Sequence, residues 1–286
     1  MNGFLNIDKP SGMTSTDVVR RIRRLAGQRR VGHGGTLDPM ATGVLPIALG
    51  VATRLLEYLL EEEGKGYLAT VRLGSTTDTD DAEGTVLETR PIPALTRDQI
   101  EAALAPFRGT IVQTPPHYSA IRIAGRRLYE YARAGEEVEV PVRTVTIERL
   151  DLTGWTAETL DLDVACSKGT YIRSLARDIG AALGCGAHLS ALRRTRAGAF
   201  DLSTAIPLDD LLEHPERLAD ALLSPLAALA DWATVTVDVP GVLDLRQGRQ
   251  VALTCDAERA AVVDGAGELV AIVVPAGPLW QPIKVF

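Results

Sequence analysis

The chain has 286 residues, of which 46% are hydrophobic, and a formal net charge of −7 at pH 7. A chain of this kind can bury a sizeable core, and its length predicts one large domain with a small one, or two moderate ones. The three cysteines, Cys166, Cys185 and Cys255, form no CxxC pair and no Cys/His cluster, which argues against a disulfide framework or a zinc site. The start of the chain lacks the pattern of a signal peptide, and no apolar run approaches the ~20 residues that span a bilayer. We therefore expect a reduced, cytoplasmic protein without a membrane segment.

The charge is unevenly distributed along the chain. Residues 1–60 hold eight basic and four acidic residues, a net charge of +4, whereas residues 201–286 hold five and thirteen, a net charge of −8. An acidic chain is a poor phosphate binder as a whole, but a local group of arginines can still bind a nucleic-acid backbone. Such a group is formed by Arg20, Arg21, Arg23, Arg24, Arg29 and Arg30. An ordinary solvated helix face fits the same composition equally well.

The N-terminal quarter mixes apolar runs with glycine-rich segments. A strand is predicted over residues 4–7, and a helix that opens at residues 14–16 has its apolar residues at helical spacing. Residues 31–46 contain too many glycines for a regular element and predict a shaped loop. Residues 47–60 are apolar enough for a buried helix, and the alternation over residues 67–73 predicts a half-buried strand.

The rest of the chain predicts further helices and strands. The capping-box pattern Thr96-Arg97-Asp98-Gln99 opens a helix, and residues 142–150 and 160–166 are strand-like. A helix that carries Arg173 follows, and helical and turn residues continue to about residue 232. From residue 234 the pattern changes to short β-rich segments, which indicates a small C-terminal β domain.

Two segments invite a cofactor or metal interpretation. Gly32-His33-Gly34-Gly35 resembles a phosphate-binding loop, but the Gly-Lys-Ser/Thr ending of a P-loop is absent and no dinucleotide-binding pattern follows a strand. The acidic segment 76–84 lacks the ligand spacing of a calcium loop. We therefore predict neither a nucleotide cofactor nor a metal.

Asp38 is the one carboxylate in the glycine-rich loop. It lies between Leu37 and Pro39, in a segment where glycines allow close approach of a ligand. On spacing alone, an Asp before Pro is more often a turn residue. The loop by itself therefore leaves a chemical role for Asp38 open.

Cations and aromatic rings alternate over residues 117–141. The residues concerned are Arg122, Arg126, Arg127, Arg133, Tyr118, Tyr129 and Tyr131. This alternation suits looped or single-stranded RNA, whose bases stack on aromatic rings while guanidinium groups bind phosphates. The alternative is an amphipathic helix with half-buried tyrosines.

Several segments together resemble the signature of the tRNA pseudouridine synthase B family. They are residues 3–10 with Thr14-Ser15, and residues 32–46, 66–74, 113–120, 166–175, 192–195 and 198–200. The segments occur in the family's order and cover about four-fifths of the chain, which makes a chance match implausible. One departure is Gly34, where the family more often carries Thr, but His33, Asp38 and their spacing are unchanged. Residues 243–249 weakly resemble the start of the PUA domain, a small RNA-binding barrel that ends many members.

The resemblance implies an α+β (mixed) fold, the pseudouridine synthase fold. A mixed, largely antiparallel central sheet would be flanked by helices and long loops. The catalytic domain is expected over residues 1–232, with an RNA-gripping insertion at 117–141 and a small PUA-like β-barrel over residues 235–286. The acidic balance of that last segment leaves its affinity for RNA open.

The resemblance also implies a reaction and a partner. The enzyme would isomerise uridine 55 in the T loop of tRNA to pseudouridine, by breaking the N-glycosidic bond, turning the base and joining C5 to the same sugar carbon. Its partner would be the T arm of tRNA, bound by a monomer, and no cofactor or metal would be needed. The target nucleotide must be flipped out of its stack, which costs a few kcal/mol.

Three residues match the family's catalytic positions. Asp38 would be the essential carboxylate beside the sugar carbon at which electron deficiency develops. Arg173 would pair with Asp38, hold its pKa down and fix its rotamer. Tyr67 would stack on the base and could accept the proton of the 2′ carbon, although a core ring is an equally good interpretation of its strand position. Whether Asp38 attacks the sugar covalently or stabilises charge on the way to a glycal stays open.

Other residues match positions that hold the RNA. His33 would order the loop or fill the space left by the flipped nucleotide, and Leu192 would form the aliphatic wall of the pocket. The candidate contacts to RNA are Lys9, Arg20, Arg24, Arg126 and Arg193, with Arg194 and Arg196 beside the last of these.

Two alternatives remain at this stage. The chain could act mainly as an RNA-folding helper that flips the T arm, and an Asp38→Asn variant separates that role from catalysis. It could also modify ribosomal RNA, but residues 113–141 resemble the insertion with which type B enzymes hold the T loop.

Overall fold

The structure is a computed structural model that describes residues 1–61, 64–119, 121–136 and 138–286. Its α-helices are α1 (Ser15–Leu25), α2 (Leu56–Glu61), α3 (Arg97–Leu104), α4 (Leu128–Ala134), α5 (Ile172–Ala182), α6 (Leu208–Glu213) and α7 (Val239–Arg246). None of the helices in these ranges is long and apolar enough to cross a membrane.

The strands are distributed over the whole chain. They are β1 (Gly3–Lys9), β2 (Val31–His33), β3 (Thr42–Leu49), β4 (Lys65–Leu73), β5 (Ser75–Thr77), β6 (Val86–Thr89), β7 (Gly109–Gln113), β8 (Arg122–Ile123), β9 (Arg126–Arg127), β10 (Arg143–Trp155), β11 (Thr159–Cys166), β12 (Ala187–Ala197), β13 (Phe200–Asp201), β14 (Ile206–Pro207), β15 (Ala233–Thr236), β16 (Ala260–Val263), β17 (Leu269–Ala276) and β18 (Leu279–Val285).

One large sheet organises the molecule. Its strands run in the order β14-β1-β3-β12-β4-β11-β10-β7, with β2 paired to β3 and β13 paired to β12. The β1–β14 and β3–β12 pairs are parallel and the other pairs are antiparallel, which confirms the predicted mixed, largely antiparallel sheet. In this order β4, which carries Tyr67, lies between β11 and β12 near the middle of the sheet.

Local sequence accounts for the helices that flank the sheet. Thr14 caps α1 and Thr96 caps α3, each with the reciprocal side-chain bond from the third helical residue, a pattern that the sequence predicts at Thr96. Val18, Val19 and Ile22 of α1 are buried against the sheet, and the arginines of α1 are exposed. The predicted amphipathic helix with arginines on its outer face is confirmed.

The sequence missed the strands β2 and β3. Residues 31–46, predicted as a loop, contain β2 and the start of β3, whereas residues 47–60, predicted as a buried helix, hold the end of β3 and then a 3-10 helix over Gly50–Leu55 and the short α2. β3 is buried on both faces: Leu45 and Ile47 pack into one core cluster, and Val44 and Ala48 into another. A strand buried on both faces has no alternation, so its apolar run cannot be told from a buried helix.

β12 was also missed, within the stretch predicted as helix and turn. Its pairing with β4 shifts register twice, between Leu189 and Ala191 and between Arg194 and Arg196. Such bulges interrupt the two-residue period on which strand prediction depends.

The C-terminal residues form a second sheet in the order β15-β16-β17-β18. The predicted β-rich segments are present, but the predicted barrel is not confirmed, because β15 and β18 lie at the two ends of this sheet and do not pair with each other. Ala261 and Ile272 of this sheet share a core cluster with Phe4, Val44 and Leu55 of the large sheet and its neighbouring turn. The C-terminal sheet therefore packs directly on the N-terminal strands.

Candidate active site

A cavity of about 720 Å³ lies where the glycine-rich loop, β4 and the start of α5 meet. The cavity is lined by Asp38, Tyr67, Arg173, His33 and Leu192. The structure thus brings together in one cavity the three predicted catalytic residues and two of the residues predicted to hold RNA. The volume lies within the range of small-molecule sites and can accept a single extruded nucleotide.

The loop that carries Asp38 is held from below by buried polar groups. Ser15, in the first turn of α1, accepts a hydrogen bond from the Leu37 N–H at 2.8 Å and donates to the Leu37 carbonyl at 3.2 Å. The Gly12 N–H donates to the Pro39 carbonyl at 2.9 Å. The backbone on both sides of Asp38 is therefore fixed before any substrate arrives.

Lys9 belongs to this support and not to the RNA-binding surface. Its side chain is fully buried, and its ammonium group donates to the carbonyls of Pro10, Met13 and Pro39 at 2.8, 2.7 and 3.2 Å. Burial lowers the pKa of Lys9 to about 8, and the nearby Asp38 carboxylate opposes this shift. The prediction that Lys9 contacts RNA is corrected, because its donors are already used inside the protein.

Asp38 and Arg173 form an ion pair across the cavity wall. Arg173 Nε lies 3.0 Å from Asp38 Oδ2, and Nη2 donates to Oδ1 at 3.3 Å. The Arg173 side chain is 7% exposed and that of Asp38 is 33% exposed. The cation is therefore buried behind the carboxylate, which faces the cavity.

The position of Arg173 is set by contacts of the start of α5. The Gln113 side chain donates to the Tyr171 carbonyl at 3.0 Å and accepts from the Tyr171 N–H at 2.8 Å. Arg173 Nη1 donates to the Thr79 carbonyl at 2.9 Å, and Nη2 also donates to the Tyr118 carbonyl at 3.0 Å. With these acceptors the guanidinium has one arrangement, and its pairing with Asp38 follows from it.

A second buried carboxylate was missed from the sequence. Asp81 is 4% exposed, and its Oδ2 lies 3.4 Å from Arg173 Nη1. Asp80 beside it pairs with Arg177, one turn further along α5, at 2.9 Å. The sequence signal was the acidic segment 76–84, which we had considered only as a calcium site. No group of His, Cys, Asp or Glu among the described residues could hold a metal ion.

The environment of Asp38 disfavours its charge. Burial raises the pKa of the Asp38 carboxyl above its ordinary value, Arg173 lowers it, and Asp81 raises it. We had expected Arg173 to hold this pKa down, but the cation only offsets the larger effect of burial. The ionised form therefore depends on Arg173.

Tyr67 lies in the floor of the cavity with its ring buried. Burial raises the pKa of its hydroxyl to about 12, and the positive charge of the Arg194 guanidinium opposes this shift. Tyr67 is therefore protonated near neutral pH. The ring of Tyr67 is thus a core ring that also lines the cavity, and its role in the reaction stays a prediction.

A further part of the cavity wall comes from residues 118–129. Its lining residues are Tyr118, Ser119, Arg122, Arg127 and Tyr129. This part of the predicted insertion contains the β8–β9 hairpin and the start of α4, and residues 120 and 137 of the insertion lie outside the described residues. Lys65 of β4 adds a further cation to the lining. The wall therefore presents cations and rings to whatever occupies the cavity.

The remaining predicted RNA contacts lie outside the cavity. Arg20 and Arg24 are exposed on α1, and Arg20 pairs with Asp17. Arg126 pairs with Glu136 and stacks on a tyrosine ring, and Arg193 pairs with Asp8 at 2.6 Å. Arg194, in contrast, is fully buried, so its predicted role as an RNA contact is corrected.

Residues 23–172 match the family described as TruB family pseudouridylate synthase (N terminal domain), and residues 173–230 match the tRNA pseudouridylate synthase B C-terminal domain. A protein of Gloeobacter violaceus named tRNA pseudouridine synthase B is 47% identical over 92% of this chain and 90% of its own length. Proteins of the same name from Synechococcus and Paenarthrobacter aurescens are 48% and 44% identical over 96% and 100% of this chain, and 94% and 95% of their own lengths.

Solved structures show the same architecture. A chain of the structure described as a Cbf5-Nop10-Gar1 complex superposes with a TM-score of 0.76 at 29% identity, over 99% of this chain and 84% of that one. A chain of an H/ACA RNP bound to a substrate RNA containing 2′-deoxyuridine gives 0.75 at 28% identity over the same shares. The likeness extends over both sheets of the present structure.

Proposed function

This chain belongs to the TruB family of pseudouridylate synthases, and we propose that it isomerises uridine 55 in the T loop of tRNA with Asp38 as its essential carboxylate. Conversion of uridine to pseudouridine in tRNA is the activity of its family. The position of the target uridine and the residues that act on it are what we propose here.

The observation that carries the proposal is the Asp38–Arg173 pair in the cavity wall. As the N-glycosidic bond breaks, the sugar carbon becomes electron-deficient and the uracil takes up the bonding electrons. An ionised carboxylate beside that carbon stabilises it, whether by electrostatics or by forming a bond. Arg173 supports the charge on Asp38 and is itself held by backbone carbonyls, so the carboxylate is oriented before the reaction begins.

Tyr67 provides a stacking surface for the uracil and does not initiate bond cleavage. Its buried ring offers a flat apolar surface on which uracil can stack while it turns, and Leu192 closes the same part of the cavity. Since its pKa is raised to about 12, the hydroxyl is a hydrogen-bond donor near neutral pH. Abstraction of the 2′ proton by Tyr67 would require this pKa to fall when the substrate binds.

Binding of the T arm is supported by the charges around the cavity. Lys65, Arg122 and Arg127 line it, and the exposed arginines of α1 extend the basic surface beyond it. Contacts of these cations with phosphates can offset the few kcal/mol that nucleotide flipping costs. We further propose that the protein acts as a monomer in the cytoplasm, with His33 beside the flipped nucleotide.

The test is tritium release from an unmodified tRNA transcript labelled at C5 of uridine. Rejoining at C5 expels that hydrogen to solvent, so wild-type protein should release the tritium of one uridine per tRNA. A transcript with cytidine at position 55 should release none. Asp38→Asn should also release none, whereas Asp151→Asn, an exposed carboxylate on β10, should behave as wild type. Tritium release that persists in Asp38→Asn would contradict the proposed role of Asp38. Release from the cytidine transcript would contradict the choice of position 55.

A further inference from the structure

Arg194 is the largest of the fully buried side chains. Its Nε donates to the Val44 carbonyl at 2.7 Å, Nη2 to the Gly35 carbonyl at 3.1 Å, and Nη1 to the Thr36 carbonyl at 3.5 Å. Tyr67 lies opposite Arg194 on the neighbouring strand, and its hydroxyl interacts with the guanidinium. No Asp or Glu within the described residues pairs with this guanidinium. Arg194 is thus a buried cation held by neutral oxygens.

The sheet places Arg194 between Tyr67 and the loop that leads to Asp38. Arg194 on β12 lies directly opposite Tyr67 on β4 in the antiparallel register, and beside Gly43 on β3 in the parallel register. Gly43 has a φ of +98°, and a Cβ added there would lie 2.2 Å from the Arg194 carbonyl oxygen. Only glycine allows this close approach of β3 to β12, and the approach places the guanidinium under the loop that leads to Asp38.

A cation at this position is costly unless its surroundings compensate it. Moving an ionised group out of water is strongly unfavourable, and the usual compensation is a carboxylate partner. Here the compensation comes from carbonyls of the Asp38 loop and from Tyr67. The planar fork of an arginine can hold several such acceptors in fixed directions, which the ammonium group of a lysine cannot.

We propose that Arg194 is a positioning residue for the isomerisation, which fixes the Tyr67 hydroxyl and the Asp38 loop relative to each other and presents a positive charge to the cavity floor. The inference rests on the proposed function, since it assumes that Asp38 and Tyr67 act on the nucleotide. Arg194 does not line the cavity, so it acts through these two residues and not by contact with RNA. Its positive charge also favours negative charge on the Tyr67 oxygen, in opposition to burial.

This placement predicts an effect on the chemical step and not on binding. A residue that cannot reach the RNA should leave tRNA affinity unchanged, because the phosphate-binding groups are elsewhere. Loss of an oriented cation beside the Tyr67 hydroxyl slows the step in which Tyr67 takes part. The part of the rate loss that Tyr67 transmits should disappear in Tyr67→Phe, and only the smaller part transmitted through the Asp38 loop should remain.

The test is a double-mutant cycle of Arg194→Lys with Tyr67→Phe, read by single-turnover tritium release and by filter binding of tRNA. Arg194→Lys should slow release by about 10- to 100-fold and change tRNA affinity by less than about twofold. In the Tyr67→Phe background the same substitution should cost much less. Arg72→Lys, at the far end of β4 and paired with Glu158 on the surface, is the control and should leave both quantities unchanged.

Two results would overturn the inference. Equal slowing by Arg194→Lys in both backgrounds would mean that Arg194 only supports the core, and weakened tRNA binding with an unchanged rate would mean that it serves the RNA. Asp38→Asn is not part of this cycle, so failure of the proposed function is seen separately as persistent release by that variant.

If the variants fold poorly or react too slowly to time, a measurement that leaves Arg194 in place tests its positioning role. In a spectrum of isotope-labelled arginine side chains, a guanidinium signal protected from solvent exchange should shift when Tyr67→Phe removes the hydroxyl. A spectrum whose protected guanidinium signals are unchanged by Tyr67→Phe would overturn the inference.

Discussion

Asp38 occupies a position where burial opposes its charge and Arg173 supports it. The Asp38 side chain is one-third exposed, and the groups that act on its charge are Arg173, the buried Asp81 and the buried Lys9. A carboxylate in this setting is less strongly solvated than one on the surface, so its charge is more available to an electron-deficient sugar carbon. The same burial makes the ionised Asp38 side chain unfavourable for the stability of the folded protein.

Asp38→Asn is expected to stabilise the folded protein while it abolishes activity. Burial raises the pKa of Asp38 in the folded state, so the unfolded chain ionises first as the pH rises, and wild-type stability falls over that interval. Asn does not titrate, so the variant should melt at a higher temperature near neutral pH. The difference should vanish below about pH 4, where the carboxyl is protonated in both states. Thermal unfolding across pH measures this, and a variant less stable than wild type near neutral pH contradicts it.

Arg173→Met should move the acid limb of the rate profile to higher pH. The cation lowers the pKa of Asp38 against burial, and without it Asp81 raises that pKa further. The ionised fraction of Asp38 then falls at every pH below the new limb, and the single-turnover rate falls with it. Arg177→Met is the matched control, because Arg177 pairs with Asp80 and Asp178 and not with Asp38. An acid limb at the wild-type position in Arg173→Met would contradict the pairing.

The sequence could predict only those site residues that a pattern or a resemblance identifies. Asp38, Tyr67 and Arg173 follow from motifs, and all three line the cavity. The supporting roles of Lys9 and Arg194 could not be predicted, because a lysine or arginine looks the same in a sequence whether it faces solvent or a cluster of carbonyls. Arg194 lies 150 residues from Val44, to which it donates, and no local pattern encodes such a contact.

At the scale of elements, prediction succeeded where one face of an element is buried. Such elements show the hydrophobic period or the capping pattern that is typical of a helix or strand with one exposed face. They are α1, α3, β4, β10, β11 and α5. β3 and β12 lie in the middle of the sheet, where burial on both faces and bulges remove that period. The centre of the fold was therefore harder to predict than its surroundings.

The parallel contact of β3 with β12 makes Gly43 intolerant of a side chain. Gly43→Ala should destabilise the protein by more than Gly109→Ala, although both glycines have a positive φ. The strained backbone costs about 1–2 kcal/mol in either case. An added Cβ at Gly43 also meets the Arg194 carbonyl oxygen at 2.2 Å, whereas one at Gly109 meets nothing within 4 Å. Denaturant unfolding of the two variants isolates the clash, and equal losses of stability would contradict it.

The cavity wall formed by residues 118–129 should contribute to tRNA binding and not to the chemical step. Arg122→Gln removes an exposed cation that lines the cavity, so it should weaken tRNA binding and reduce the slope of log affinity against log salt by up to about one. The rate at saturating tRNA should stay near wild type. Arg149→Gln, on β10 and paired with Asp163, is the control. An unchanged salt slope in Arg122→Gln would show that this wall does not contact phosphates.

At the scale of the whole molecule, the C-terminal sheet is joined to the N-terminal strands by core and surface contacts. Ile272 packs with Phe4 and Leu55, Lys284 pairs with Glu57, and the Arg54 guanidinium stacks on the ring of Phe286. A core shared in this way favours unfolding of both sheets in one transition.

Ile272→Ala should therefore destabilise the entire protein. Truncation of a buried isoleucine in a shared core costs about 2–5 kcal/mol. Calorimetry should show one transition whose midpoint falls in the variant, while Ile283→Ala, an exposed position on β18, should leave it nearly unchanged. Two transitions, with only one of them shifted, would mean that the C-terminal sheet unfolds independently.

The guanidinium of Arg173 contacts the Asp38 carboxylate and the Tyr118 carbonyl of the cavity wall at the same time. A displacement of the Tyr118 backbone would therefore also move the guanidinium that sustains the charge of the carboxylate. One side chain thus couples the geometry of residues 118–129 to the ionisation of Asp38.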